Sequence, residues 1–169
     1  MRLPQRGLAA LRIVVGLWFL KSVLTKLGLV WLGVVPLPGA SARWQTVMPR
    51  LLARYAAENP VEFYRDFLLH TVIPNSAFFA TLTALGETAV GLGLTLGLLT
   101  PLASVVGLVL VVSYGLATSH MGPSQQGFHV LLFACMAVFL LTRAGRAWGV
   151  DGWLRARRGR SWLARSPLT

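Results

Sequence analysis

The stretch Leu82–Ser104, LTALGETAVGLGLTLGLLTPLAS, decides how this chain folds. It is apolar enough to sit in a bilayer, yet it carries Glu87. An ionised carboxylate in hydrocarbon is costly, so such a residue faces a bundle interior and finds a partner or a proton. Ala89, Gly93 and Gly97 recur four apart, with Gly91 beside them. Such a stripe of small residues lets a neighbouring helix come close. Thr100-Pro101 ends the helix, because proline has no amide donor and restricts the residue before it. A new apolar run begins at once, so the stretch reads as a span, a tight turn and the start of an antiparallel span.

Composition agrees with this reading. Of 169 residues, 55% are hydrophobic and 12% charged, against about 25% charged in a soluble domain. The chain is expected to be one all-α integral membrane domain. The net charge of +11 would suggest nucleic acid in a soluble protein, but here it gathers at the chain ends. Arg2, Arg6 and Arg12 stand at the start, and Arg143, Arg146, Arg155, Arg157, Arg158, Arg160 and Arg165 at the end. This is the positive-inside pattern, and no nucleic-acid motif accompanies it. The lone Cys135 allows no intrachain disulfide.

Four spans are expected, at about 7–35, 77–99, 101–118 and 127–142. The first begins like a signal peptide, but it is too long and holds Lys21 and Lys26, so it reads as a retained anchor. The long connection 36–75 opens with Pro36, Pro38 and Gly39. It then carries two amphipathic stretches, Ala42–Ala57 and Pro60–Thr71, divided by Asn59-Pro60. They read as short helices at the outer interface. The basic tail 143–169, with Trp148, Trp153 and Trp162, suits anionic lipid on the cytoplasmic face. Both termini are then cytoplasmic, in the cell inner membrane.

The partner of Glu87 is a question of depth against face. Counting from the inner end of each span, Lys21 lies nearest in depth, with Lys26 roughly 7 Å further out and Arg12 roughly 13 Å further in. By face, Arg12, Gly16 and Lys26 share a stripe, with Lys21 opposite. Sequence alone leaves both lysines open. The carboxylate can be half of an ion pair that fixes helix docking, a neutral hydrogen-bonded acid, or a proton acceptor beside a redox or transport pocket.

Among other groups, His70, His120 and His129 fall on the outer side without the short spacing of metal ligands. Only His129 lies within a span, which argues against haem, and no flavin or dinucleotide motif is present. His129 and Tyr114 could contact a quinone carbonyl at the outer mouth.

The ordered motifs resemble a known family. Arg12-x3-Gly16 with Lys26, then Asn59-Pro60 with Tyr64, Phe67-Leu68 and Pro74-Asn75, match its first helix and the entry to its second. Gly86-Glu87 with Gly91, the turn Gly97-Leu98-Leu99-Thr100, and Gly145-Arg146 before Trp148-Gly149-Val150-Asp151 match the rest. These resemble the DoxX/DoxD-like membrane proteins, and within them the DoxD-type subunits of thiosulfate:quinone oxidoreductase. Val23 and Pro101 depart from the pattern, which weakens transfer of a specific substrate. The resemblance implies a four-helix membrane bundle and a partner subunit, with thiosulfate oxidised and quinone reduced.

It marks Arg12, Lys26, Glu87 and Asp151 as motif residues. In the catalytic reading Glu87 handles protons, Lys26 or Arg12 stabilises developing negative charge, and His129 or Tyr114 touches a quinone. Lys21, Gly91, Gly93, Gly97 and Asp151 are structural. The alternative is a non-catalytic accessory subunit of a larger membrane complex. Association with a second copy of the chain is compatible with either.

Overall fold

The computed structural model of the protein describes residues 3–32 and 34–157. In chain order these form α1 (Leu3–Thr25), a hairpin of β1 (Leu27–Leu32) and β2 (Val35–Ala40), α2 (Ala42–Glu58) and α3 (Glu62–Phe67). A π-helical turn (Leu68–Val72), α4 (Ser76–Leu96), α5 (Thr100–Ala117), α6 (Pro123–Thr142), a 3-10 turn (Ala144–Arg146) and α7 (Val150–Arg157) follow. Helices α1, α4, α5 and α6 are long and apolar enough to cross a membrane. The chain is an all-α, multi-pass membrane protein. Arg2, Arg158, Arg160, Trp162 and Arg165 of the expected basic ends lie outside the described residues.

The first span differs from the expected 7–35. It ends at Thr25, and the next apolar residues form the antiparallel hairpin, with Leu27 opposite Ala40 and Leu32 opposite Val35. The Thr25 hydroxyl donates to the helix carbonyls of Ser22 and Lys21 at 3.4 and 3.5 Å. Such local bonding is typical of a helix terminus. Pro36 and Pro38 then place the second strand where no helix can continue.

Helix α1 packs on α4, α4 on α5, and α5 on α6, while α1 and α6 meet through a thinner contact. The close approach of α1 to α4 needs two glycines. A Cβ on Gly16 would strike Thr95, and one on Gly91 would strike the Leu20 backbone. The stripe expected to face a neighbour divides its work differently. Gly93 abuts Ala103 and Leu98, and Gly97 lies against Arg12 and Gly149.

We distinguish a terminal end, where α1 begins and α6 leads into α7, from a loop end carrying the hairpin, α2 and α3. At the terminal end Gly97 (φ 64) closes α4 in the left-handed region. Leu99 (φ 47) then starts α5 with no side-chain cap of its own sequence neighbourhood. The cap comes from the far end of the chain. Asp151 accepts the Leu99 amide at 2.8 Å and the Thr100 amide at 2.9 Å, and its own amide donates to Gly97 O at 2.8 Å. Two of the orphan amides of α5 are thus satisfied, with the acid at the positive end of the helix. Arg12, fully buried, donates to Trp148 O at 3.1 Å through Nη2 and interacts electrostatically with Asp151. Trp148 holds a left-handed φ of 51 to present that carbonyl.

At the loop end, α2 and α3 form a roof over α4 and α5, in agreement with the two expected amphipathic helices. Ser41 caps α2 by accepting the Trp44 amide at 3.2 Å. The Ser41 amide donates to Lys26 O at 2.7 Å, which ties the start of α2 to the end of α1. Buried Asn59 staples the roof to α5. Its amide donates to Leu116 O at 2.9 Å and Ala117 O at 3.3 Å, and its Oδ1 accepts from Val61 N and Ser119 Oγ, both at 2.9 Å. Tyr64 adds a hydrogen bond to Ser113 O at 2.9 Å, and burial raises its phenol above the ordinary pKa.

Candidate functional site

Where α1 runs out, Lys26 is the first residue past the helix, and the hairpin holds it over α4. Its Nζ donates to Glu87 Oε1 at 2.8 Å. Tyr114, from α5, donates its hydroxyl to the same oxygen at 2.6 Å. Glu87 is 6% exposed, and its second oxygen, Oε2, has no hydrogen-bond partner among the described residues. The ammonium lies 4.5 Å from the Trp44 ring centre and 5.7 Å from that of Tyr114, close enough for cation–π attraction. The Lys26–Glu87 pair is therefore shielded by aromatic faces from two elements.

Face, not depth, selects the partner of Glu87. Lys21 is turned away from Glu87 toward the rim of the cavity between α1 and α6, with Nζ 3.6 Å above the Trp18 ring. Lys26, whose amide still donates to Ser22 O at 2.7 Å, extends the stripe of buried Arg12 and Gly16 one residue past the helix.

His129, buried on α6, is next to the cluster. Its Nδ1 lies 3.5 Å from Thr118 Oγ1 and its Nε2 3.5 Å from the Gln125 amide. Both contacts are long, so the ring keeps capacity for a shorter bond. Gln126 donates from its side chain to Thr118 O and fixes the loop between α5 and α6. The other histidines are elsewhere: His120 lies 3.9 Å from Glu58 and meets Tyr55 at a tilt, with ring centres 5.4 Å apart, and His70 is exposed in the π-helical turn. No three His, Cys, Asp or Glu side chains among the described residues gather as metal ligands.

Two cavities meet at the cluster. The larger, about 450 Å³, runs between the roof and α4–α5, walled by Met48, Leu52, Leu68, Phe79 and Val109 among others. Lys26, Ser113, Tyr114, Thr118 and His129 supply its polar groups. The smaller, about 100 Å³, lies between α1 and α6 and reaches Glu87 itself. Such an apolar chamber with a few convergent polar groups has the size and character of a small-molecule site.

Of the residues singled out from sequence, Lys26, Glu87, Tyr114 and His129 are brought together. Arg12 is not: it lies about 20 Å away along α1 by helical rise, in the terminal-end knot with Asp151 and Gly97. Thr118 and Ser113, which the sequence offered beside Tyr114 as lining the same mouth, do line the larger cavity; Trp44 and Ser22 were not singled out for the site. Trp44 had a signal in its place one helical turn before Met48 and Val47, but nothing in the spacing aimed it at Lys26.

Comparison with known proteins fits this arrangement. A model of the family described as TQO small subunit DoxD matches residues 8–165. The chain belongs to the DoxD family. No curated protein and no solved structure matches it. In DoxD terms, the matched region takes in both the Lys26–Glu87–Tyr114 cluster and the Arg12–Asp151 knot.

Proposed function

We propose that this DoxD protein is the quinone-reactive membrane subunit of an oxidoreductase that takes electrons from thiosulfate. The observation that carries the reading is a buried carboxylate, held by Lys26 and Tyr114, at the junction of an apolar cavity of about 450 Å³ and a smaller one. A quinone head placed among Lys26, Tyr114 and His129 finds donors for its carbonyl oxygens, and the apolar walls suit its tail. Two thiosulfate ions joining through a new S–S bond release two electrons. A quinone taking up those electrons needs two protons to become quinol. The Tyr114 hydroxyl is placed to donate one, Glu87 to resupply it, and the Lys26 ammonium to offset negative charge as electrons arrive.

The arginines at the terminal end support cytoplasmic termini in an inner membrane, with the roof outside. The family description, a small subunit, supports a protein partner. That Glu87 borders open volume favours a chemical role over an accessory one.

The test is thiosulfate-driven quinone reduction in membranes that retain co-purifying partners, comparing wild type with Glu87→Gln at matched abundance. Loss of reduction in the variant supports the reading. No reduction by wild type, with a larger complex dissociating when the chain is deleted, would favour the accessory role.

A further inference from the structure

The two cavities at the cluster differ in kind. Lys26, Tyr114 and His129 line both, whereas Glu87 lines only the smaller. Its Oε1 is occupied by Lys26 and Tyr114, and its Oε2, without a partner among the described residues, belongs to the side chain that borders the smaller cavity. A buried carboxylate oxygen without a donor is a group that water normally satisfies.

The smaller cavity suits water. Its volume of about 100 Å³ equals about three waters at roughly 30 Å³ each. Besides Glu87, it is edged by the hydroxyls of Ser22 and Thr25. Both donate to carbonyls of α1 and keep lone pairs free to accept. Lys21 and Thr25, exposed at its rim, lead toward the loop-end surface. Trp18, beneath Lys21, meets Phe128 of α6 edge-on with ring centres 5.4 Å apart, closing the crevice between α1 and α6.

We infer that the smaller cavity is a water-filled proton inlet, which feeds Glu87 Oε2 from the loop-end surface while Tyr114 delivers to the larger cavity. This rests on the proposed reading of the larger cavity as the place where an acceptor is reduced. In the resting state Glu87 is a carboxylate that accepts from Lys26 and from the Tyr114 hydroxyl. Inlet water first protonates it at Oε2; once Tyr114 has given its proton to the reduced acceptor, the Glu87 carboxyl turns, passes its proton to the phenolate and is a carboxylate again. One proton enters from the inlet for each that leaves to the acceptor, so the pair returns to its starting charge. Water and acceptor never share a chamber, which keeps an apolar substrate away from the aqueous route.

The test uses Ser22→Cys in a Cys135→Ala background, reconstituted with its partners. Ser22 is 6% exposed and lines the inlet. The probe is 2-sulfonatoethyl methanethiosulfonate, a water-borne anion. The thiolate displaces its sulfinate and forms a mixed disulfide that fills the cavity after folding. Val14→Cys, on the outward face of α1 at 63% exposure, is the lipid-side control.

The thiol at position 22 is expected to react at least about tenfold faster than that at 14, since thiolate formation needs water. Its modification is expected to lower kcat for quinone reduction about tenfold with KM unchanged, as loss of a proton path does. Equal labelling rates would overturn the inlet as a wet cavity, and unchanged kcat after complete labelling would overturn it as a proton path. Neither result touches the quinone reading. Absence of quinone reduction by wild type would remove that reading and the inlet with it, and the labelling ratio would still show whether the cavity is wet. Should Ser22→Cys not accumulate, Leu132→Cys reaches the same cavity from α6.

Discussion

The molecule sets a cation of the first span against a carboxylate at each end of the bundle, and the two clusters are built to different purposes. At the terminal end Asp151 turns both oxygens to the Leu99 and Thr100 amides. At the loop end Glu87 gives one oxygen to Lys26 and Tyr114 and leaves the other at the edge of a cavity. The first acid is consumed in holding backbone; the second keeps capacity for a ligand or a proton. Burial and charge alone do not separate them, since both acids are under a tenth exposed. What separates them is whether a hydrogen-bonding position is left over next to open volume.

Substitutions should separate the clusters by readout. Glu87→Gln keeps an acceptor for Lys26 and Tyr114 but cannot cycle a proton, so quinone reduction should fall by about 10²–10⁴-fold. Detergent thermal melts should show a much smaller loss of stability than at the terminal end. If the melt collapses and turnover per folded molecule survives, Glu87 belongs with the structural locks.

Asp151→Ala should cost about 3–5 kcal/mol, because it strips two amides of their acceptor and leaves buried Arg12 without its counter-charge. Denaturation followed by tryptophan fluorescence would register this. Turnover of the surviving folded fraction should stay near wild type, and a fall as deep as that of Glu87→Gln would erase the distinction between the ends.

Gly97→Ala sharpens the same point. It places a side chain at φ 64 and against the Arg12 guanidinium, so a loss of about 2 kcal/mol or more is expected. A neutral result in the same melts would mean that the knot can loosen without harm.

Tyr114→Phe is the mildest change. It removes one donor to Glu87 and the delivering hydroxyl, with about 1 kcal/mol of stability lost. Turnover should fall by about tenfold with KM little altered, because Glu87 loses the hydroxyl through which it passes its proton. An unchanged kcat would remove Tyr114 from the proton route.

Much of this was readable from residue types and spacing. The spans around Glu87 and after Pro101 followed from hydropathy and punctuation, and the roof helices from their periodicity and the Asn59-Pro60 break. Asp151 stood out as a motif residue, yet nothing local tells that it caps a helix starting at position 100. That pairing exists only once α6 has returned the chain to the terminal end.

The hairpin was hidden for a different reason. From Leu27 to Val35 the chain is apolar at nearly every position, so helical and strand periodicities look alike. The depth count failed at its starting point instead: it set Gly7 level with the turn near Thr100, whereas Gly97 lies against Arg12 and Gly91 against Leu20, which puts Glu87 further along the first span, between the levels of Lys21 and Lys26. The stripe shared by Arg12, Gly16 and Lys26 held the better information, because side-chain direction does not depend on where the span ends.

The Arg12–Trp148 contact joins residues 136 positions apart, which bears on biogenesis. The guanidinium of Arg12 enters the membrane before the segment that carries its partner carbonyl at Trp148 has been synthesised. The amides opening α5 likewise wait about 50 residues for Asp151. Closure of the terminal end therefore cannot precede synthesis of α7. Chains cut short before Asp151 carry Arg12 without its counter-charge.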